Sequence, residues 1–187
     1  MRFRLGLLVG LMAATMMTIQ GCDAGVSGNH DSSSGCADRS YDLTRPPTRD
    51  DLEMTPGKSV LDVSCDDGFK VSLTLPDDAT TTITARRLNA DSYASGNPET
   101  GDPTTVDVHS VSYDLDQAVK ATGSIAADLG IDPAPLQRWR RDVESNPNSS
   151  VDSPFMRSKL DYLTAELQVQ HLATSGNNYV HLVLSWD

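Results

Sequence analysis

Residues 163–186 read LTAELQVQHLATSGNNYVHLVLSW, and this stretch decides the fold more directly than any other part of the chain. Apolar residues alternate with polar ones on both sides of Gly176-Asn177, which is typical of two strands joined by a tight turn. A two-residue type II′ turn with Gly first would pair Val169 with Leu184, and both apolar faces would then coincide. A register shifted by one residue would set apolar against polar positions throughout. The stretch therefore predicts a C-terminal β-hairpin.

Two histidines of this hairpin, His171 and His181, look at first like ligands for one metal ion. In the predicted register His171 pairs with Leu182, so it lies on the core side while His181 lies on the other side. Zinc also needs further ligands at a suitable spacing, and none is apparent. We therefore expect a hydrogen-bonded His171 at the edge of the core, isolated and exposed side chains at His109 and His30, and no metal site.

Four earlier segments alternate in the same way and predict further strands. Residues 59–65 and 69–75 predict a first hairpin across a turn that contains Gly68. Residues 81–88 and 105–113 predict two more strands of the same sheet.

Helical spacing replaces the alternation in the second half of the chain. Asp114 is expected to cap a helix together with Gln117, and Gly130 ends that helix. A second helix is expected over 132–143, and a short third one after Ser153. The expected fold is therefore α+β: an antiparallel sheet of four to six strands, an αα-hairpin packed on one face, and the C-terminal β-hairpin.

The first residues have the layout of an export signal. Arg2 and Arg4 precede an apolar run over residues 5–17, and Gly21 is a small residue directly before Cys22. The apolar run is too short to span a bilayer comfortably, since a spanning helix needs about 20 apolar residues.

The sequence Ile19-Gln20-Gly21-Cys22 resembles the lipobox of bacterial lipoproteins. The resemblance implies that a diacylglycerol is attached to the Cys22 thiol and that residues 1–21 are then removed as a signal peptide. The expected location is extracytoplasmic, with the protein anchored to the cell membrane by its acyl chains, palmitate among them. An ordinary cleaved secretory signal is the alternative interpretation.

Residues 22–57 are rich in Ser, Gly, Asn, Asp and Pro, without a periodic apolar pattern. This composition predicts a lipidated flexible tether, followed by a single α+β domain over 58–187. If lipid occupies Cys22, the remaining Cys36 and Cys65 form an even pair, as expected for a disulfide in an oxidising compartment. A reactive thiol is the alternative, but neither cysteine has a C-x-x-C partner.

The net charge excludes some partners. The chain carries 15 basic and 26 acidic residues, for a formal charge of −11 at pH 7. Such a chain repels nucleic acid, so we expect no nucleic-acid partner.

One cluster, Arg138-Trp139-Arg140-Arg141, combines basic and aromatic residues. Arg138, Trp139 and Arg141 form a candidate patch for an anionic ligand or partner, because Trp can stack beside Arg. The alternative is structural: Trp139 packs into the sheet while the arginines form ion pairs with Asp132, Asp142 and Glu144.

Three segments of the mature chain carry a further resemblance: the stretch from Leu136 through Trp139, Ser153-Pro154-Phe155, and Ser175-Gly176-Asn177-Asn178-Tyr179. They resemble a group of uncharacterised lipoproteins from high-GC Gram-positive bacteria, a group that implies no activity.

The chain offers no readable catalytic motif and no cofactor motif. It lacks the spacing of a phosphate-binding loop, an esterase elbow or an EF-hand. We therefore expect a membrane-tethered, non-catalytic binding module that takes an envelope protein or a small ligand. A small hydrolase of the cell envelope with an acid-based site is the alternative.

Overall fold

The structure is a computed structural model that describes residues 30–33, 36–97 and 99–186. The predicted signal peptide, the lipobox and Cys22 lie outside the described residues. Strands account for 43% and helices for 19% of the structure, so the sheet dominates the architecture.

Nine strands and two α-helices make up the described part of the chain. In chain order they are β1 (His30–Ser33), β2 (Arg39–Asp42), β3 (Val60–Thr74), β4 (Thr80–Asp91), β5 (Thr105–Ser110), α1 (Leu115–Asp128), α2 (Ala134–Ser145), β6 (Val151–Asp152), β7 (Met156–Leu160), β8 (Leu163–Leu172) and β9 (Asn177–Trp186). A short 3-10 helix, Tyr93–Ser95, lies between β4 and β5.

All nine strands belong to one mixed sheet. Its main order is β1-β3-β4-β5-β9-β8-β6, with β2 also pairing to β3 and β7 also pairing to β8. The strands β1 and β2 run parallel to β3, and the other pairs are antiparallel. The predicted α+β fold, an antiparallel sheet of four to six strands under an αα-hairpin, is therefore wrong. The strands that were missed are short pieces at the two edges, where few apolar residues alternate.

The predicted first hairpin is also wrong, because β3 runs through the expected turn. Strand β3 pairs with β4 on both sides of an irregularity between Ser64 and Phe69. Gly68 lies within this bulge at φ +81°. The real turn follows at residues 75–79, where the Leu75 and Ala79 backbones are hydrogen-bonded. An Asp-Asp-Gly sequence suits a turn and a bulge equally well, since both use a glycine at positive φ.

The C-terminal hairpin is present, but its register differs from the prediction by four residues. Val169 pairs with Val180 rather than with Leu184, and a four-residue loop over 173–176 joins the strands. Since the shift is even, every side chain keeps the face that the alternation assigned to it. The pattern therefore predicts which side a residue faces and not which residue it pairs with.

Helix α1 forms where the sequence predicts it. The Asp114 side chain accepts from the Gln117 backbone, and the Gln117 side chain accepts in return, which completes the predicted capping box. The helix packs on β4, β8, β9 and α2, while α2 packs on α1 and β6. The short helix expected after Ser153 is absent, and Met156–Leu160 forms β7 instead.

The N-terminal part of the described chain contributes to the core. Tyr41, Leu43, Leu52 and Met54 are all buried, so residues expected in the tether belong to the folded domain. The Tyr162 hydroxyl donates to the Leu43 carbonyl at 2.5 Å, which joins the region after β2 to the turn between β7 and β8.

A disulfide joins Cys36 to Cys65, and the prediction of this bridge is confirmed. The two Cα atoms lie 5.5 Å apart, an ordinary spacing for a bridged pair. The bond attaches the segment before β2 to the middle of β3.

Within residues 30–33, 36–97 and 99–186, no helix is both long enough and apolar enough to cross a bilayer.

Candidate functional site

The sheet has a second face, opposite the helices and the core. Along each central strand, the polar side chains of this face alternate with the buried side chains of the core face. We call it the open face, and its central side chains are Asp62, Arg87, Asn89, Asp107, His109, Gln168, Gln170, Tyr179 and His181. Most of them are half-buried, because neighbouring side chains on adjacent strands cover one another.

Strand pairing places two histidines directly opposite each other at the centre of this face. His109 on β5 pairs with His181 on β9. Arg87 on β4 extends the same cross-strand row on one side, and Gln168 on β8 extends it on the other. Asp107 precedes His109 by two residues, so it shares its face and lies diagonally opposite His181.

The three side chains converge on one oxygen atom. The His181 Nε2 atom lies 3.0 Å from Asp107 Oδ1, and the His109 Nε2 atom lies 3.1 Å from the same oxygen. The two imidazole rings are stacked, with centroids 4.2 Å apart and an angle of 12° between their planes. We call this group the Asp-His-His cluster.

The two histidines, rather than partial burial, determine the charge of Asp107. The exposed fractions of the side chains are 29% for Asp107, 39% for His109 and 16% for His181. Burial raises the pKa of Asp107, but the hydrogen bonds and charges of both histidines outweigh it, so this pKa lies well below its ordinary value. Asp107 is therefore a carboxylate at neutral pH.

Two cavities adjoin the cluster on the open face. One of about 300 Å³ is lined by His109, Arg86 and Leu172 among others. The other, of about 260 Å³, is lined by Asp107, Asp91 and several neighbours. The cluster thus remains accessible from two sides.

Phe155 lies beside the cluster as well. Its ring meets the His181 ring edge-on, with 5.9 Å between the centroids and an angle of 67° between the planes. It comes from the connection between β6 and β7, whereas Tyr93 comes from the connection between β4 and β5. In the strand order of the sheet, these two connections lie on opposite sides of β5 and β9, which carry the cluster. Residues from widely separated parts of the chain therefore surround the same site.

The cluster has the donor set and spacing of a metal site. Imidazole nitrogens and carboxylate oxygens both bind zinc, and at bond lengths of about 2.0–2.1 Å tetrahedral ligand atoms are about 3.3 Å apart. The three ligand atoms lie within 4.8 Å of one another, and each nitrogen–oxygen separation is close to that value. Small side-chain rotations would therefore complete three coordination positions and leave a fourth open.

Sequence reasoning missed this cluster because it paired the wrong histidines. His171 and His181 do lie on opposite faces, and His171 is buried, with its ring nitrogens 2.9 Å from Asn178 Oδ1 and from the Pro147 carbonyl. The partner of His181 is His109, on a strand that both helices separate from β9. The signal present in the sequence was the Asp-x-His spacing of 107 and 109, which places both side chains on one face of a strand.

The remaining histidine considered from sequence, His30, lies in β1. Its strand pairs with the start of β3, at the edge of the sheet.

The candidate patch of Arg138, Trp139 and Arg141 is divided between the core and the surface. Trp139 is fully buried and donates from Nε1 to the Val151 carbonyl at 2.9 Å, so it cannot stack on an external ligand. Arg138 and Arg141 are exposed on α2. Their neighbour Arg140 forms ion pairs with Glu144 and Asp116. Glu144 was among the partners expected if the cluster is structural.

The chain shows no match to a family model, to a curated protein or to a solved structure. The chemistry assigned to the cluster therefore rests on the geometry of this chain.

Proposed function

We propose that this protein is a lipid-anchored extracytoplasmic binding protein whose open face binds a divalent transition-metal ion, with Zn²⁺ as the principal candidate. The observation that carries the proposal is the convergence of Asp107, His109 and His181 on one point. Three donors of the types that zinc prefers meet there through strand pairing, on a rigid sheet rather than on loops.

Electrostatics supports a cationic ligand. The chain has a formal net charge of −11, and Asp107 is ionised at neutral pH. A protein of this charge attracts metal cations and repels polyanions such as nucleic acid.

The location proposed for the protein rests on the lipobox at Cys22, and the disulfide supports it. Disulfides persist in oxidising compartments, and Cys36 and Cys65 form one once Cys22 is reserved for lipid. The membrane is then a partner of the protein through its acyl chains, while the domain binds its ligand outside the cytoplasm.

A hydrolase with an acid-based site is the weaker alternative. Asp91 and Asp107 line the same cavity, and burial raises the pKa of Asp91, with the charge of Asp107 acting in the same direction. In a hydrolase with two catalytic carboxyl groups, both groups would be directed at the substrate. The Asp107 carboxylate is already hydrogen-bonded to two histidines, which favours a metal-ligand role.

The experiment is equilibrium dialysis of the full chain, purified in detergent, against Zn²⁺, with metal analysis of the protein. We expect one Zn²⁺ per chain for the wild type. We expect His109→Ala and His181→Ala to lower the affinity by about a hundredfold or more, since loss of outer-shell partners alone costs about 10–100-fold.

Gln168→Ala is the matched control, because Gln168 is the neighbour of His181 in the same cross-strand row. It should bind Zn²⁺ like the wild type. Equal Zn²⁺ binding by the wild type and both histidine variants would contradict the proposal.

A further inference from the structure

The large apolar side chains that are exposed in the described part of the chain all lie on or beside the open face. Tyr93, Phe155 and Leu172 are the large hydrophobic residues exposed in that part of the chain, with exposed fractions of 49%, 40% and 39%. They come from three separate connections or strand ends. Scattered exposed apolar residues are ordinary, whereas a group around one polar site is typical of ligand-binding surfaces.

One of the three contacts the Asp-His-His cluster, and each of the other two lines a cavity that a member of the cluster also lines. Tyr93 lines the cavity that Asp107 also lines, and Leu172 lines the cavity that His109 also lines. Phe155 contacts the His181 ring directly. We call these three side chains the apolar rim.

The charged groups beside the cluster indicate whether the ligand that contacts the rim is an anion or a cation. Arg87 lines both cavities, but its guanidinium is bound to both oxygens of Asp62, at 3.1 Å from Nε and 2.9 Å from Nη2. Arg86 lines the cavity that His109 also lines and adds a positive charge to its wall. A metal ion and Arg86 together favour an anionic donor group.

Three protein ligands leave a zinc ion one position short of tetrahedral coordination. We propose that this position is filled by an organic anion that combines a metal-binding oxygen group with an aromatic or branched apolar portion. The oxygen group binds the metal, and the apolar portion packs against Phe155, the rim residue that contacts the His181 ring. This inference rests on the proposed metal site.

The metal and the apolar rim select the ligand together. Without the metal, the oxygen group of the ligand has no ion to bind. Without the rim, an anion of any size binds the metal equally well. The ligand preference should therefore vanish when either part is removed.

The test uses the full chain loaded with Co²⁺, whose visible absorption reports its ligands, and two probes: acetohydroxamate and benzohydroxamate. Both bind metals through the same two oxygens, and they differ in the phenyl group. We expect benzohydroxamate to bind the wild type roughly tenfold more tightly, as expected for one ring packed against an aromatic neighbour.

In Phe155→Ala we expect the ratio of the two dissociation constants to fall to within about twofold of one. Phe155→Leu should keep most of the preference, since it retains an apolar side chain, and Arg157→Ala should keep all of it as a surface control nearby. Neither probe should bind the metal-free protein.

The outcomes separate the two proposals. If no Co²⁺ spectrum develops before a probe is added, the proposed metal site fails. If Co²⁺ binds and the two probes bind equally to the wild type, or if Phe155→Ala leaves their ratio unchanged, the metal site stands and the inference about the ligand is overturned.

Discussion

His181 owes its environment to strands that are distant in the sequence. Alternation along β9 assigns it to the polar face, and that assignment is local enough to follow from the sequence. Its contacts with His109 and Asp107 depend on the pairing of β5 with β9, across both helices. Loop closure over such a separation leaves no local trace in the sequence, so the site could not be predicted from the pattern.

For Trp139, the structural interpretation, a packed side chain rather than part of a ligand patch, is the one that describes its environment. Its helical position among apolar residues agreed with a packed tryptophan, and burial of the ring with an Nε1 bond to Val151 is what the structure has. The local pattern carried enough information here, because a helix buries one face irrespective of distant register.

Asp51 provides a prediction about pH at the scale of one residue. A hydrogen bond from the Thr48 backbone lowers its pKa most, with Arg45 contributing next, and the pKa lies at about 2 rather than 3.8. Because the pKa is lower in the folded protein, the stabilisation is present above about pH 4 and is lost as the pH falls towards 2.

We expect the urea midpoint of Asp51→Asn to fall less steeply than that of the wild type between pH 4 and pH 2. The control is Asp50→Asn, which changes the neighbouring exposed side chain. Parallel pH curves for the wild type and Asp51→Asn would show that this carboxylate does not contribute.

At the scale of elements, the predictions succeeded where the determinants are local. The capping box of Asp114 and Gln117 lies within one turn of helix, and it set the start of α1 correctly. The edge strands β2, β6 and β7 have two to five residues each and are stabilised by pairing rather than by their own pattern. Without knowledge of the neighbouring strand, such segments resemble loops.

The bulge in β3 yields a prediction for this element. A Cβ atom added at Gly68 would lie 2.5 Å from Val111 Cγ1, and Gly68 also has a φ of +81°. Val111 is β-branched and rotates with difficulty. Gly68→Ala should therefore combine backbone strain of about 1–2 kcal/mol with overpacking of about 1–3 kcal/mol.

Gly176→Ala is the matched control, because Gly176 has a φ of +67° with no neighbouring atom within 4 Å of an added Cβ. It should show the backbone strain alone. Urea unfolding of both variants measures the difference, and equal losses of stability would show that the bulge tolerates a side chain at position 68.

The whole molecule combines an acidic domain, a disulfide and a proposed lipid anchor. The Cys36–Cys65 bond holds the segment before β2 against β3. Counting cysteines predicted this pair correctly, since the pairing follows from redox chemistry and an even number rather than from register. The size of the sheet did not follow, because the edge strands could not be recognised one by one.

Processing tests the proposed anchor. We expect Cys22→Ala to remain unprocessed or to be soluble, and to incorporate no labelled fatty acid, because the thiol that accepts the lipid is missing. Cys36→Ser is the control and should be labelled like the wild type. Normal labelling of Cys22→Ala would rule out this cysteine as the attachment point.

The Asp-His-His cluster can be tested most directly by X-ray absorption at the zinc edge, on the full chain loaded with one equivalent of Zn²⁺. We expect two imidazole nitrogens and at least one oxygen at about 2.0–2.1 Å, with the imidazole signal reduced by half in His109→Ala or His181→Ala. A spectrum of hydrated zinc in the wild type, or one that both variants leave unchanged, would contradict a metal site at Asp107, His109 and His181.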